Sequence, residues 1–239
     1  MTSVNEEKLN AFVGQVLNDL GGAYSVALVR IGDRLGLYRS LADKGPATAS
    51  ALAARLNLHV RYVEEWCAAQ AASNYLEYDP LEKKFSLPAE QALVFATKDS
   101  PVYMMGGFDN VVSTIENEPK VMEAFKTGDG VAWGDQAGCM FCAVARFFRP
   151  GYVNNLTQNW IPSLEGVEEK LKSGAKVADI GCGHGHSTLL MAEAYPASRF
   201  TGYDFHGPSI AEARNHAKEL GLEDRAYFEQ SAAQAIQAT

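Results

Sequence analysis

The sequence is short of cysteine, has no surplus of basic residues and contains no long apolar run. Four cysteines in 239 residues are too few for the disulfide framework that holds small secreted domains together. They are Cys67, Cys139, Cys142 and Cys182. Cys139 and Cys142 form a C-x-x-C, but no second pair and no histidine at ligand spacing follows, so no metal site is expected. Residues 138–144 read as a helix face, where that spacing simply brings two small side chains together. Lys and Arg number 21 against 29 Asp and Glu, a formal net charge of −8, which disfavours a broad nucleic-acid footprint because phosphate binding needs clustered cations. No stretch approaches the roughly 20 apolar residues of a membrane helix. Residues 1–7 have neither the basic n-region nor the apolar h-region of a signal peptide, so a cytoplasmic location is expected. Apolar content is ample, at 47 % hydrophobic, which supports a packed core rather than disorder.

The rest of the chain is organised around residues 176–187, Lys176-Val177-Ala178-Asp179-Ile180-Gly181-Cys182-Gly183-His184-Gly185-His186-Ser187. An alternating apolar run reaches Asp179, three glycines follow at every second position, and Leu189, Leu190, Ala192 and Ala194 open an amphipathic helix pattern. Strand, tight glycine loop and helix in that order allow a ligand to approach the backbone closely, since glycine has no Cβ and tolerates unusual dihedrals. The glycines alone would also suit an ordinary βα turn. The following residues narrow the reading. Residues 199–204 read as a second strand ending in Asp204, roughly twenty residues past the loop, the spacing of a carboxylate that bonds a ribose diol. Residues 209–220 read as a helix stopped by Gly221, and residues 225–230 as a third strand.

Two ligands compete for such a loop. A nicotinamide dinucleotide calls for Gly-x-Gly-x-x-Gly, whereas the spacing here is Gly-x-Gly-x-Gly with Asp179 before the first glycine. That carboxylate would repel a pyrophosphate and attract an ammonium. S-adenosylmethionine carries an α-ammonium, a sulfonium and a ribose diol and no phosphate, so it suits both Asp179 and Asp204.

On these residues the sequence resembles the class I S-adenosylmethionine-dependent methyltransferases. The stretch from Asp179 to Gly185 looks like their first motif, and Tyr203-Asp204 like their second. The resemblance implies that Asp179, Gly181, Cys182, Gly183 and Gly185 wrap the methionine part of the cofactor. It implies that Asp204 holds the ribose hydroxyls and that Phe205 lies beside the adenine. The family often places an acid just after the third strand. Here that region is Ser231-Ala232-Ala233, so a backbone group or Ser231 would substitute.

The N-terminal residues read as helices. Leu9, Phe12, Val13, Val16, Leu17 and Leu20 follow helical spacing over about residues 6–20. Gly21-Gly22 is read as a stop, with a second helix over about residues 23–35 and a break at Gly36. These two helices are expected to form a homodimer interface. Residues 48–56 form a short capped helix and residues 60–74 a longer one. Residues 75–80 and 83–87 alternate as a hairpin, which completes a winged helix. DNA binding is disfavoured, because Glu64, Glu65, Glu77, Asp79 and Glu82 would oppose a phosphate backbone. The pairing with the glycine loop resembles the winged-helix-bearing small-molecule methyltransferases, O-methyltransferases among them. In that family the module serves dimerisation and helps wall the substrate pocket.

The expected fold class is α/β: an all-α, winged-helix domain over residues 1–98, a helical connector over residues 99–172, and the first half of a Rossmann-like doubly wound sheet over residues 173–239. The connector is rich in Met and aromatics, including Tyr103, Phe108, Trp133, Met140, Phe141 and Phe148, a set able to line an apolar pocket. A helix is expected over about residues 153–171, broken near Pro162. Strands are found on one side only of the Val177 strand, so the sequence is read as a fragment of a longer enzyme. His184, His186, His206 and His216 are not placed as a convincing general base, and no catalytic residue is named. The expected activity is methyl transfer from S-adenosylmethionine to a small organic acceptor. The alternative is a winged-helix regulator or ligand sensor that retains the cofactor fold.

Overall fold

A computed structural model of the chain describes residues 4–138 and 140–236. Cys139, half of the C-x-x-C, lies outside the described residues. The chain divides into two compact units, Met1–Ala96 and Thr97–Thr239, so residues 99–172 fall within the second.

The first unit opens with α1 (Glu6–Arg34). Asn5 caps it by accepting the Lys8 N–H at 3.0 Å, and Glu6, Glu7 and Arg34 complement the helix dipole at either end. The expected stop at Gly21-Gly22 does not occur: one helix runs through where two were expected. Neither glycine takes a positive φ, and Ser25 Oγ donates to the Gly21 carbonyl at 3.0 Å. Each glycine costs a helix about 1 kcal/mol relative to alanine, which weakens it without ending it. The chain turns at Gly36, whose φ of 72° requires a glycine-like conformation.

Helices α2 (Leu37–Lys44), α3 (Ala49–Leu56) and α4 (Val60–Ala72) follow, then the hairpin of β1 (Glu77–Asp79) and β2 (Lys84–Ser86), and α5 (Ala89–Phe95). Thr48 caps α3 through the Ala51 N–H, and Asn57 ends it in the left-handed region. The hairpin pairs Tyr78 with Phe85, and Phe85 also bridges Ala47. This is the helix–turn–helix and wing expected from the sequence. Its core is aromatic. Tyr38 stacks on Phe95 at 4.9 Å and meets the edge of Trp66 at 5.0 Å, and its hydroxyl donates to buried Gln70. Burial pushes the Tyr38 phenol well above its usual range, so it stays a neutral donor.

The second unit begins with α6 (Met105–Glu116), α7 (Glu118–Thr127) and α8 (Met140–Asn155). α6 lies almost backbone to backbone on α8, since a Cβ at Gly106 would sit 2.3 Å from the Phe147 nitrogen. The helix expected over residues 153–171 is interrupted around Pro162, as expected, but its first part does not start a new element. Instead α8 widens into a π-turn, Leu156–Trp160, and α9 (Val167–Ser173) starts afresh after Gly166. Asn154 and Asn155 donate to the carbonyls of Pro150 and Gly151 at 2.8 and 3.0 Å, a local competition that favours unwinding.

Next come β3 (Lys176–Ile180), α10 (His186–Ala194), β4 (Arg199–Asp204), α11 (Gly207–Leu220) and β5 (Ala226–Gln230). The three strands are parallel in the order β3-β4-β5, with Ile180 opposite Tyr203 and Asp204 opposite Gln230. Phe200 and Phe228 from the sheet pack with Leu189 and Ala192 of α10 and Ile210, Ala213 and Ala217 of α11. The Phe228 carbonyl also accepts from Arg214, fixing α11 to β5. This core aligns the carboxyl ends of β3 and β4, where a parallel sheet opens a crevice.

Candidate cofactor site

The glycine loop is tied off by one carbonyl. Tyr203 O accepts both the Gly181 N–H at 2.7 Å and the Cys182 N–H at 3.1 Å, so β3 stops pairing and the chain turns. Gly181, Gly183 and Gly185 have φ of 76°, 54° and 77°, a region closed to most side chains. Their roles then diverge. A Cβ on Gly181 or Gly183 would meet nothing within 4 Å, whereas one on Gly185 would lie 2.7 Å from the Phe228 ring and 3.0 Å from Ala213. The first two leave open space and the third permits helix–sheet contact.

Two carboxylates flank the loop. Asp179 Oδ2 accepts from Ser187 Oγ at 2.7 Å and Thr188 Oγ1 at 2.6 Å. Two hydroxyls from the first turn of α10 therefore fix the acid that precedes the glycines. Asp204 is 9 % exposed. Its Oδ2 accepts the Gly183 N–H and its Oδ1 the His206 N–H, both at 2.9 Å. A carboxylate offers about four acceptor sites, so Asp204 can hold the loop and still receive a diol.

A cavity of about 460 Å³ joins these groups, within the size range of small-ligand pockets. Asp179 to His184, His186, Ser187, Asp204, Phe205 and Ser209 line it together with Trp133, Phe141, Val144, Ala145, Phe148 and Tyr152. The structure thus brings Asp179, Gly181, Cys182, Gly183, Asp204 and Phe205 to one cavity. Gly185 sits behind it in the packing. Ser231 does not line it; its N–H donates to the Asp204 carbonyl at 3.0 Å, so it braces β4 from the end of β5. Phe205 is half exposed, with its carbonyl accepting from Gln230. Among the described residues, no group of three or more His, Cys, Asp or Glu is placed to hold a metal ion.

The cavity suppresses some chemistry. Burial, with Asp179 and Asp204 nearby, pushes the Cys182 thiol up to about 12, so it is no thiolate nucleophile. Burial and then Asp179 raise the Tyr152 phenol as well. His186 is pushed down to about 4, chiefly by burial and then by His216, Arg149 and His184. A histidine that resists protonation only when folded adds nothing to the pH dependence of stability above its ordinary range. As pH falls from about 6.5 toward 4 the unfolded chain takes the proton and the native one does not, so stability drops across that window. The expected loss is about 1–3 kcal/mol after allowing for partial exposure. His186→Asn should flatten the decline, as read by denaturant unfolding at pH 7.5 and 5.

Sequence reasoning did not find the hydroxyl pair on Asp179, although Ser187 and Thr188 in the first turn after the loop were a visible signal. Nor did it place Ser209, which lines the cavity and whose Oγ lies 2.7 Å from Nδ1 of His206, the ring that stacks on Phe141 at 3.9 Å.

Comparison with known proteins agrees in both units. Residues 23–97 match the family described as Rv2258c-like winged HTH domain, and residues 171–239 match the family described as Methyltransferase domain. The trans-aconitate 2-methyltransferase of Escherichia coli O1:K1 / APEC is 45 % identical over 53 residues, 22 % of this chain and 18 % of its own length. That of Escherichia coli strain K12 / DH10B is 54 % identical over 39 residues, 16 % of each chain. The chain thus spans under a fifth of the length of these curated relatives. Mitomycin 7-O-methyltransferase MmcR has a similar fold, with a TM-score of 0.68 at 19 % identity over 95 % of this chain and 68 % of that one. Human N-acetylserotonin methyltransferase, solved in complex with SAM, gives 0.59 at 17 % identity over 97 % and 68 %. The chain therefore joins an N-terminal winged helix-turn-helix domain to a Rossmann-like methyltransferase domain.

Proposed function

We propose that the chain binds S-adenosylmethionine in the cavity between the glycine loop and α8 and presents its methyl group to a small organic acceptor. The observation that carries this reading is the pair Asp179 and Asp204, set on either side of two glycines with open space in front of them. The residues fit this cofactor. Asp179, pinned by two hydroxyls, offers fixed negative charge to the ammonium, and Asp204 has acceptor capacity left for the ribose hydroxyls. Phe205 would cover the adenine, with Ser231 bracing the strand beneath it. When bound, the cofactor supplies a methyl carbon on a sulfonium, which an acceptor lone pair takes in line as the carbon–sulfur bond breaks and a thioether leaves. The chain's own contribution is to hold both reactants in register and exclude water. The aromatic wall of Phe141, Phe148 and Tyr152 favours an acceptor with an apolar face. Incubation with methyl-labelled S-adenosylmethionine and a panel of phenols, acids and amines tests this. Label in at least one acceptor is expected, and none across the panel from a protein that binds the cofactor would argue for a sensor.

The same reading includes a homodimer formed through α1 and a cytoplasmic location. It keeps the working division into residues 1–98, 99–172 and 173–239. No described helix is long and apolar enough to cross a membrane. On α1, Leu9, Phe12, Val13, Val16, Leu17 and Leu20 are all exposed, Phe12 by 61 %, over a helix about 43 Å long. Such a stripe marks an interface. On α4, Arg61 pairs with Glu65 at 2.8 Å, which leaves little net positive charge for DNA. Sedimentation should give a dimer, and replacing Phe12 and Leu17 with glutamate should give a monomer. Each apolar side chain contributes roughly 1.5–3 kcal/mol when buried. A monomer before substitution would remove the interface.

A further inference from the structure

Resting on that cofactor reading, we infer that His216 of α11 is a positioning residue that braces the glycine loop from behind. Its Nδ1 lies 3.0 Å from the His184 carbonyl. A carbonyl can only accept, so Nδ1 carries the proton and donates. This contact reaches the backbone in the middle of the turn from Gly183 to Gly185, one residue on from the Asp204 contact to the Gly183 N–H at 2.9 Å, and from a side chain that does not line the cavity. Two anchors on adjacent residues, one accepting and one donating, hold the peptide groups before Gly183 and after His184, on either side of the one that joins them.

The surroundings of His216 support the same role. Its Nε2 faces Glu212 Oε1 at 3.5 Å, one helical turn back on α11. The His216 ring also stacks on His186 at 5.2 Å and 24°, and His186 opens α10. One side chain therefore touches both the turn and the helix that follows it. Arg214, on the same helix, ties α11 to the Phe228 carbonyl with bonds of 3.0 and 2.6 Å, so the brace stands on a fixed support.

The test compares His216→Ala with His216→Asn, because the asparagine amide can place a donor near the Nδ1 position and alanine cannot. In the cofactor-free protein, hydrogen exchange at the amides of residues 183–186 should quicken by about tenfold in His216→Ala and return toward the original rate in His216→Asn. The dissociation constant for S-adenosylmethionine should rise by roughly tenfold in the alanine variant and recover in the asparagine variant. Equal loop exchange in all three proteins would overturn the brace. So would equal loss in both variants, since a merely space-filling ring would not be rescued by a donor. If the unaltered protein fails to bind S-adenosylmethionine, the cofactor reading falls, and the exchange rates still decide the brace.

Discussion

Asp204→Ala is expected to weaken S-adenosylmethionine binding by roughly a hundredfold or more. The carboxylate would accept two ribose hydroxyls, each a charge-assisted bond worth about 1.5–3 kcal/mol. The same group already holds the Gly183 and His206 N–H groups at 2.9 Å, so its removal also frees the loop that shapes the cavity. Asp204→Asn separates the two parts. An amide keeps one acceptor and turns a donor toward the other backbone N–H, so its affinity should fall between those of the original protein and the alanine variant. Calorimetric titration of the three folded proteins reads the order directly. An unchanged dissociation constant in folded Asp204→Ala would remove this residue from the ligand site.

The second large effect separates two glycines that look alike in sequence. Gly183→Val should leave a folded protein that no longer binds the cofactor, because the side chain projects into open space in front of the loop. Its φ of 54° costs a side chain about 1–2 kcal/mol, tolerable for a domain of ordinary stability. Gly185→Val should instead damage folding. Its Cβ would lie 2.7 Å from Phe228 and 3.0 Å from Ala213, both core residues. Overpacking of about 1–3 kcal/mol adds to the backbone strain, for a total of about 2–5 kcal/mol. Thermal unfolding beside cofactor titration distinguishes them. A Gly185→Val variant as stable as the original would mean the loop can shift off the sheet.

Much of this was legible in the sequence for physical reasons. The β3-loop-α10 unit is read from a change of hydrophobic period across three glycines, and Asp204 from its spacing, because local backbone geometry dictates both. The winged helix was legible from the Thr48 cap, the Asn57 turn and the alternating hairpin. What failed is not carried by hydrophobic period or spacing. Gly21 and Gly22 look like a stop, yet a glycine can remain in the right-handed region when neighbouring turns hold it. The break near Pro162 was expected, but the π-turn before it was not; it follows Asn154 and Asn155, whose amides take backbone carbonyls one turn back, which periodicity does not register. The opposed jobs of Gly183 and Gly185 follow from where Phe228 lies, some forty residues further along the chain, and no spacing rule encodes that.

The central claim is that the loop serves a cationic, phosphate-free cofactor. Its most direct test is calorimetric titration of the chain with S-adenosylmethionine, S-adenosylhomocysteine and NAD under one buffer condition. The account predicts that the first two each bind at one site per chain, that Asp204→Ala weakens both, and that NAD gives no saturable heat. Saturable NAD binding that Asp204→Ala abolishes, with no binding of either adenosyl compound, would contradict it.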